Sequence, residues 1–133
     1  MAWDKTSVIH LQIDTSIPII SSVEVSANGK SVIIDNVLVD TGSAGTIFSA
    51  DIMLDIGMKP KIDDGLIVIS GVGGTEYAFS KTVDAIKVGH LMVCDFKVQV
   101  GAMNYGFKLD GIIGMDFLMA TKAKLDCEQL TLS

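Results

Sequence analysis

Asn28-Gly29 stands between two apolar, β-branched runs, residues 19–26 and 31–39. Both turn residues tolerate positive φ, which lets a two-residue loop match the twist of the strands it joins. The pair predicts an antiparallel hairpin and, with it, a chain built on strands. Other segments agree. Ile9, Leu11 and Ile13 alternate with His10, Gln12 and Asp14, the period of a half-buried strand. Residues 66–70, 75–88 and 91–100 read as further strands, the second with a bend near 82–85. In 91–100, Phe96, Val98 and Val100 share one face and Lys97 and Gln99 the other. Cys94 has the parity of Phe96 and is expected to be a buried free thiol. Residues 111–114 read as a short buried strand between glycines, and 122–126 and 130–132 as closing strands around a turn at 127–129.

Two segments read as short helices. In 49–56, Ser49 is a candidate cap, Asp51 lies in the first turn and Gly57 follows the last. In 115–121, Asp116 lies in the first turn. Many short strands with two small helices predict an all-β, barrel-like architecture, as a single domain over 1–133.

Composition narrows the function. Hydrophobic residues make up 49% and charged residues 20%, which excludes a disordered chain. So apolar a small domain is expected to cover part of its surface with a partner. A net charge of −6 without a basic cluster argues against nucleic acid or an anionic membrane as that partner. Two cysteines, Cys94 and Cys127, supply neither a disulfide framework nor zinc spacing. No signal peptide is seen in 1–10 and no apolar stretch is long enough to span a bilayer, so a reducing, cytoplasmic setting is expected. His10 and His90 have no acid or cysteine at metal or triad spacing, and no G-x-S-x-G occurs. Gly71-Val72-Gly73-Gly74 lacks the lysine and helix of a phosphate loop. Asp63, Asp64, Asp95 and Asp110 read as solvated loop acids.

The stretch with chemical content is Val37-Leu38-Val39-Asp40-Thr41-Gly42-Ser43-Ala44. Asp40 ends an apolar strand and is expected at the edge of a core, where its charged form needs hydrogen bonds. Thr41 and Ser43 offer hydroxyls, and Gly42 permits close backbone approach. Downstream come the glycine-rich turn 71–74 and the run Gly111-Ile112-Ile113-Gly114, followed directly by a helix.

In this order, VDTGSA, VISGVGG and LDGIIGMDFL resemble the retropepsin-like (retroviral-type) aspartic proteases, over about residues 17–132. Met115-Asp116 stands where viral members often carry an arginine, so the chain is more similar to bacterial and cellular members. The resemblance implies an all-β acid-protease fold and a homodimer, because the chain has a single Asp-Thr-Gly and such a site needs two carboxylates around one water. It implies Asp40, Thr41 and Gly42 as the catalytic loop, with Thr41 bracing the two loops across the two-fold axis. Ser43 is expected to donate to Asp40 and, with Ala44, to face substrate. Gly71, Val72, Gly73 and Gly74 would form a flap over an extended peptide or protein substrate. Ile112, Ile113 and Gly114 would support the loop from behind. Neither metal nor cofactor is implied. Two rival readings are an inactive module of the same fold, used for dimerisation or peptide binding, and a monomeric barrel that binds a small ligand.

Overall fold

The computed structural model describes residues 8–14, 17–61, 64–71, 74–103 and 108–133. Strands β1 (Ile9–His10), β2 (Gln12–Asp14), β3 (Ile17–Ile20), β4 (Val23–Ala27), β5 (Lys30–Ile34), β6 (Val37–Val39) and β7 (Ile47–Ser49) lead into α1 (Ala50–Met53). A 3-10 turn, Leu54–Ile56, continues α1 and stops at Gly57, which is left-handed at φ 77°. Then follow β8 (Leu66–Gly71), β9 (Gly74–Val88), β10 (Leu91–Gly101), β11 (Gly111–Ile113), α2 (Met115–Ala120), β12 (Leu125–Asp126) and β13 (Thr131–Leu132). Ten strands form one sheet in the order β2-β3-β6-β11-β7-β10-β9-β4-β5, with β8 on β9. A smaller sheet, β1-β13-β12, carries the two ends of the described chain, and Leu132 within it is fully buried in the main core.

The Asn28-Gly29 hairpin forms as expected, with φ 55° and 73° at the two turn residues. Each predicted run is two strands, however. Ile20 pairs with Val37 and Val23 with Ile34, so the register is continuous, but the ladder skips residues 21–22 and 35–36. Ser22 and Asn36 are left-handed there, at φ 60° and 56°, and the Ser22 N–H is taken by the Asp35 carboxylate at 2.9 Å. This break curls the sheet. β3 and β4 are separated by only two residues, yet β3 lies near one end of the strand order and β4 near the other. The sheet must therefore bend back on itself, as a half-barrel around the core.

A second fault of this kind lies in the β9–β10 ladder. Cys94 pairs with Ala85 and Phe96 with Val83, but Asp95 and Asp84 between them are skipped, and Asp95 has φ 51°. Leu91 is buried and Val93 half-buried on one side of the fault; Val98 and Val100 are buried on the other. The inward parity thus changes at Asp95, and Cys94 is exposed rather than buried. The period-two reading fails because one left-handed residue reverses which side chains face the core. β9 is unbroken as a strand, with its face change at Asp84 inside the expected bend.

Ser49 precedes α1 but makes no side-chain cap; its N–H instead donates to the Asp110 carbonyl at 2.9 Å. Gly71 pairs with Gly74 across the end of the β8–β9 hairpin. Val72 and Gly73 of the expected flap, and Asp63, lie outside the described residues. Among those residues, no helix is long and apolar enough to cross a membrane.

Candidate active site

The site begins where two short apolar strands meet. β6 and β11 run parallel, with Val37, Leu38 and Val39 beside Gly111, Ile112 and Ile113. β6 has β3 on its other side and β11 has β7, so both are interior strands, as their unbroken apolar character demands. Val37, Val39 and Ile113 face the main core. Ile112 faces away from it, into a second cluster with Ile47, Ala78 and Leu109 on which Leu38 packs. Asp40 has the parity of Leu38 and leaves the strand on the side of this second cluster.

The Asp40 N–H donates to the Ile113 carbonyl at 2.9 Å, which carries the ladder one residue past the strand. The chain then turns. The Ser43 N–H donates to the Asp40 carbonyl at 3.1 Å, and the Gly42 N–H to Asp40 Oδ1 at 2.9 Å. A Cβ at residue 42 would crowd that oxygen at 3.2 Å. Asp40 is half-buried, and Thr41, Gly42 and Ala44 are exposed. Asp40 Oδ2 meets no donor among the described residues.

Ser43 departs from expectation. Its hydroxyl donates to the Gly45 carbonyl at 2.8 Å, not to Asp40. A hydroxyl has one proton to give, and the curl of the loop brings the carbonyl of residue 45 to it first. The Ser43 carbonyl accepts the Met115 N–H at 2.7 Å, so the middle of the loop rests on the start of α2. Gly114 lies directly under this crossing. A Cβ there would stand 2.6 Å from the Gly45 carbonyl oxygen and 2.7 Å from that of Ser43. Its backbone is extended, so close approach rather than unusual φ demands the glycine.

Two residues join the site that sequence reasoning did not place in it. Thr46 is a buried polar residue, 1% exposed. Its N–H donates to Asp116 Oδ2 at 3.1 Å and its hydroxyl to Asp116 Oδ1 at 2.7 Å. The hydroxyl in turn accepts the Gly114 N–H at 3.1 Å, and Asp116 Oδ1 also accepts the Phe117 N–H at 2.8 Å. The only sequence signal was the acid in the first turn of α2, which points to a helix and not to a loop some 70 residues earlier.

The structure therefore brings Asp40, Thr41, Gly42, Ser43 and Gly114 together and backs them with Ile112 and Ile113. Gly71 and Gly74 pair with each other at the end of their hairpin. His10 is exposed and His90 half-buried. Among the described residues, no three His, Cys, Asp or Glu side chains converge as a metal-ligand set.

This arrangement of strands has counterparts. A retropepsin-like aspartic protease from Rickettsia conorii, known from its crystal structure, superposes with a TM-score of 0.63 at 18% identity, over 95% of this chain and 96% of that one. The EIAV protease complexed with the inhibitor HBY-793 superposes with a TM-score of 0.57 at 23% identity, over 83% and 92%. At such identities the likeness is one of fold: a predominantly β, half-barrel fold of the retropepsin-like aspartic-protease class. The family model described as gag-polyprotein putative aspartyl protease matches residues 23–120, which include both the Asp40 loop and its support. The chain belongs to that family. No curated protein matches it.

Proposed function

We propose that this chain is an aspartic endopeptidase of the bacterial or cellular kind, acting as a two-fold homodimer in which each subunit contributes one Asp40. The observation that carries the reading is the state of that carboxylate. One oxygen is oriented by the Gly42 N–H at 2.9 Å, and the other is left for a water or a second carboxylate. The loop around it is tied to Ile113 and Met115 through the backbone. Catalysis by pre-placed groups needs this kind of rigidity.

A single carboxylate per chain does not make a dyad, and a two-fold axis supplies the second. A mostly apolar groove of about 310 Å³ adjoins Thr41, lined by Met115, Leu118, Met119, Ala123 and Leu125 together with Lys122. Met119 is 69% exposed in the single chain. A second copy laid over this groove would cover apolar surface while bringing the two Thr41 loops together.

Two carboxylates in contact share one proton, as is general for aspartic proteases, because both cannot ionise cheaply side by side. The ionised Asp40 takes a proton from the water as that water attacks the scissile carbonyl. The protonated Asp40 of the other subunit gives its proton to the carbonyl oxygen, and a tetrahedral diol forms. Return of a proton to the leaving nitrogen then breaks the C–N bond. Residues 71–74 would close as a flap over an extended peptide and exclude water, with Ser43 and Ala44 along the substrate backbone. Apolar side chains beside the scissile bond would suit the half-buried Leu38, which packs on the second cluster on the Asp40 side of β6. The reading takes 1–133 as one such domain, at work in the cytoplasm.

Asp40→Asn decides the matter. Peptide hydrolysis should fall by more than about 1,000-fold, with circular dichroism and the sedimenting mass unchanged. Equal turnover by the variant refutes the catalytic assignment. Full activity in a stable monomer refutes the shared dyad. A wild-type dimer that cleaves no peptide would leave the inactive binding module.

A further inference from the structure

We propose that Asp116 is a positioning residue for Asp40, acting through Thr46. The inference rests on the peptidase reading for its kinetic consequence, though not for its geometry.

The loop of residues 40–46 lies on residues 113–116 at three places. At its start the Asp40 N–H meets the Ile113 carbonyl, and at its middle the Ser43 carbonyl meets the Met115 N–H. Both contacts are backbone to backbone and do not depend on which side chains are present. At its end, the loop is held by a side-chain pair, Thr46 with Asp116. That end is therefore where removing a side-chain hydrogen bond can release it.

The chemistry of the pair is directional. The Thr46 hydroxyl accepts the Gly114 N–H, so its own proton points to Asp116 Oδ1, at 2.7 Å. The Thr46 N–H points to Oδ2 and the Phe117 N–H to Oδ1. Every group around Asp116 is thus a donor, and a carboxylate is the side chain that offers acceptors only. The bonds are charge-assisted and linked in series, and each strengthens the next. An asparagine has the same shape but the wrong inventory. With its NH₂ in the Oδ2 place it faces the Thr46 N–H; with its NH₂ in the Oδ1 place it faces the Phe117 N–H. Either way a donor meets a donor.

A simple helix-start role explains only the Phe117 contact. It leaves unexplained why both donors of a 1%-exposed threonine aim at the same carboxylate. The tether reading accounts for both. The Thr46 carbonyl also accepts the Gln99 N–H at 2.9 Å, so the loop end is clamped between α2 and β10. With that end held, the turn that presents Gly42 to Asp40 Oδ1 keeps its shape.

The test uses the whole chain and four variants: Asp40→Asn, Asp116→Asn, Thr46→Val and Thr46→Ser. Asp116→Asn and Thr46→Val should lower kcat by about 10- to 100-fold with KM changed less than about 3-fold, as expected for misplaced catalytic groups. Thr46→Ser keeps the hydroxyl and should stay within about 3-fold of wild type. Independently of activity, amide hydrogen exchange at Asp40 and Gly42 should quicken by about 10-fold or more in Asp116→Asn and Thr46→Val, and not in Thr46→Ser. If Thr46→Val matches Thr46→Ser in both readouts, or Asp116→Asn keeps wild-type kcat and exchange, the tether is wrong. Should Asp116→Asn fail to fold, the two Thr46 variants decide alone. Exchange that responds as expected in a protein that cleaves no peptide would sustain the tether and remove the peptidase reading. Activity lost in Asp40→Asn but untouched in the other three would do the reverse.

Discussion

The loop of residues 40–46 and the β8–β9–β10 meander are held by different means. The loop is short and irregular, and each turn of it is tied to a segment distant in sequence, through Ile113, Met115, Asp116 and the β10 residue Gln99. The meander is long and held chiefly by its own ladders, from Leu66–Phe79 to Leu91–Val88. Near the base of β8–β9, one ion pair is added, Lys81 Nζ to Asp64 at 2.8 Å, with Lys81 also 5.9 Å from the centre of the Phe79 ring. A ladder can absorb a fault, as it does at Asp84 and Asp95, by letting the strand reverse its faces. A loop pinned from several sides cannot shift one contact without straining the rest. The loop is thus anchored by the number of independent segments that meet it, and the meander by the length of its ladders.

The largest effect should come from breaking the crossing under the loop. Gly114→Ala puts a methyl into two backbone carbonyl oxygens at 2.6 and 2.7 Å, neither of which belongs to a side chain that can swing away. The expected loss is about 2–3 kcal/mol in urea unfolding, together with peptidase activity. A variant as stable as wild type would mean the loop yields, and the contrast with the meander would fail.

A smaller effect is expected at the base of the hairpin. The Lys81 ammonium, hydrogen-bonded to Asp64, holds its carboxyl below the ordinary 3.8; burial opposes this, and the Lys61 N–H adds to the lowering. Because the folded carboxyl titrates below the unfolded one, the pair's contribution is whole above 3.8 and fades as pH falls through the lowered folded value. In Lys81→Met, the Asp64 carboxyl carbon should titrate closer to 3.8 by NMR, while the unfolding midpoint at neutral pH scarcely moves. A large drop in that midpoint would show the meander to depend on this one contact.

The smallest perturbation is chemical labelling. Cys94 and Cys127 are both exposed, so an aromatic disulfide reagent should modify both in the folded protein at similar rates. A protected Cys94 would restore the simple alternation along β10 and remove the fault at Asp95.

Much of the fold was open to a reader of the sequence. The Asn28-Gly29 turn, the short strand at Gly111–Ile113, α2 and the closing strands all follow from local signals. So does the half-buried setting of Asp40, since a carboxylate ending an apolar strand has few other places to go. The misses have one cause in two forms. At Ser22, Asn36 and Asp95, a left-handed residue changes which face is inward, and no hydrophobic pattern announces it. At Ser43, the hydroxyl's partner depends on how the loop curls against Gly114 and Met115, a contact between segments about 70 residues apart.

By itself, then, the amino-acid order determined that this chain is β-rich, where its turns fall, and that Asp40-Thr41-Gly42 and Gly111–Asp116 are its unusual segments. Tertiary structure alone decided that these two lie against each other, that Thr46 and Asp116 lock them, and that Cys94 looks outward. Local conformation is set by neighbours a few bonds away. The partner of a hydroxyl or the facing of a strand is settled only when the curled sheet closes and remote segments compete for the same donors.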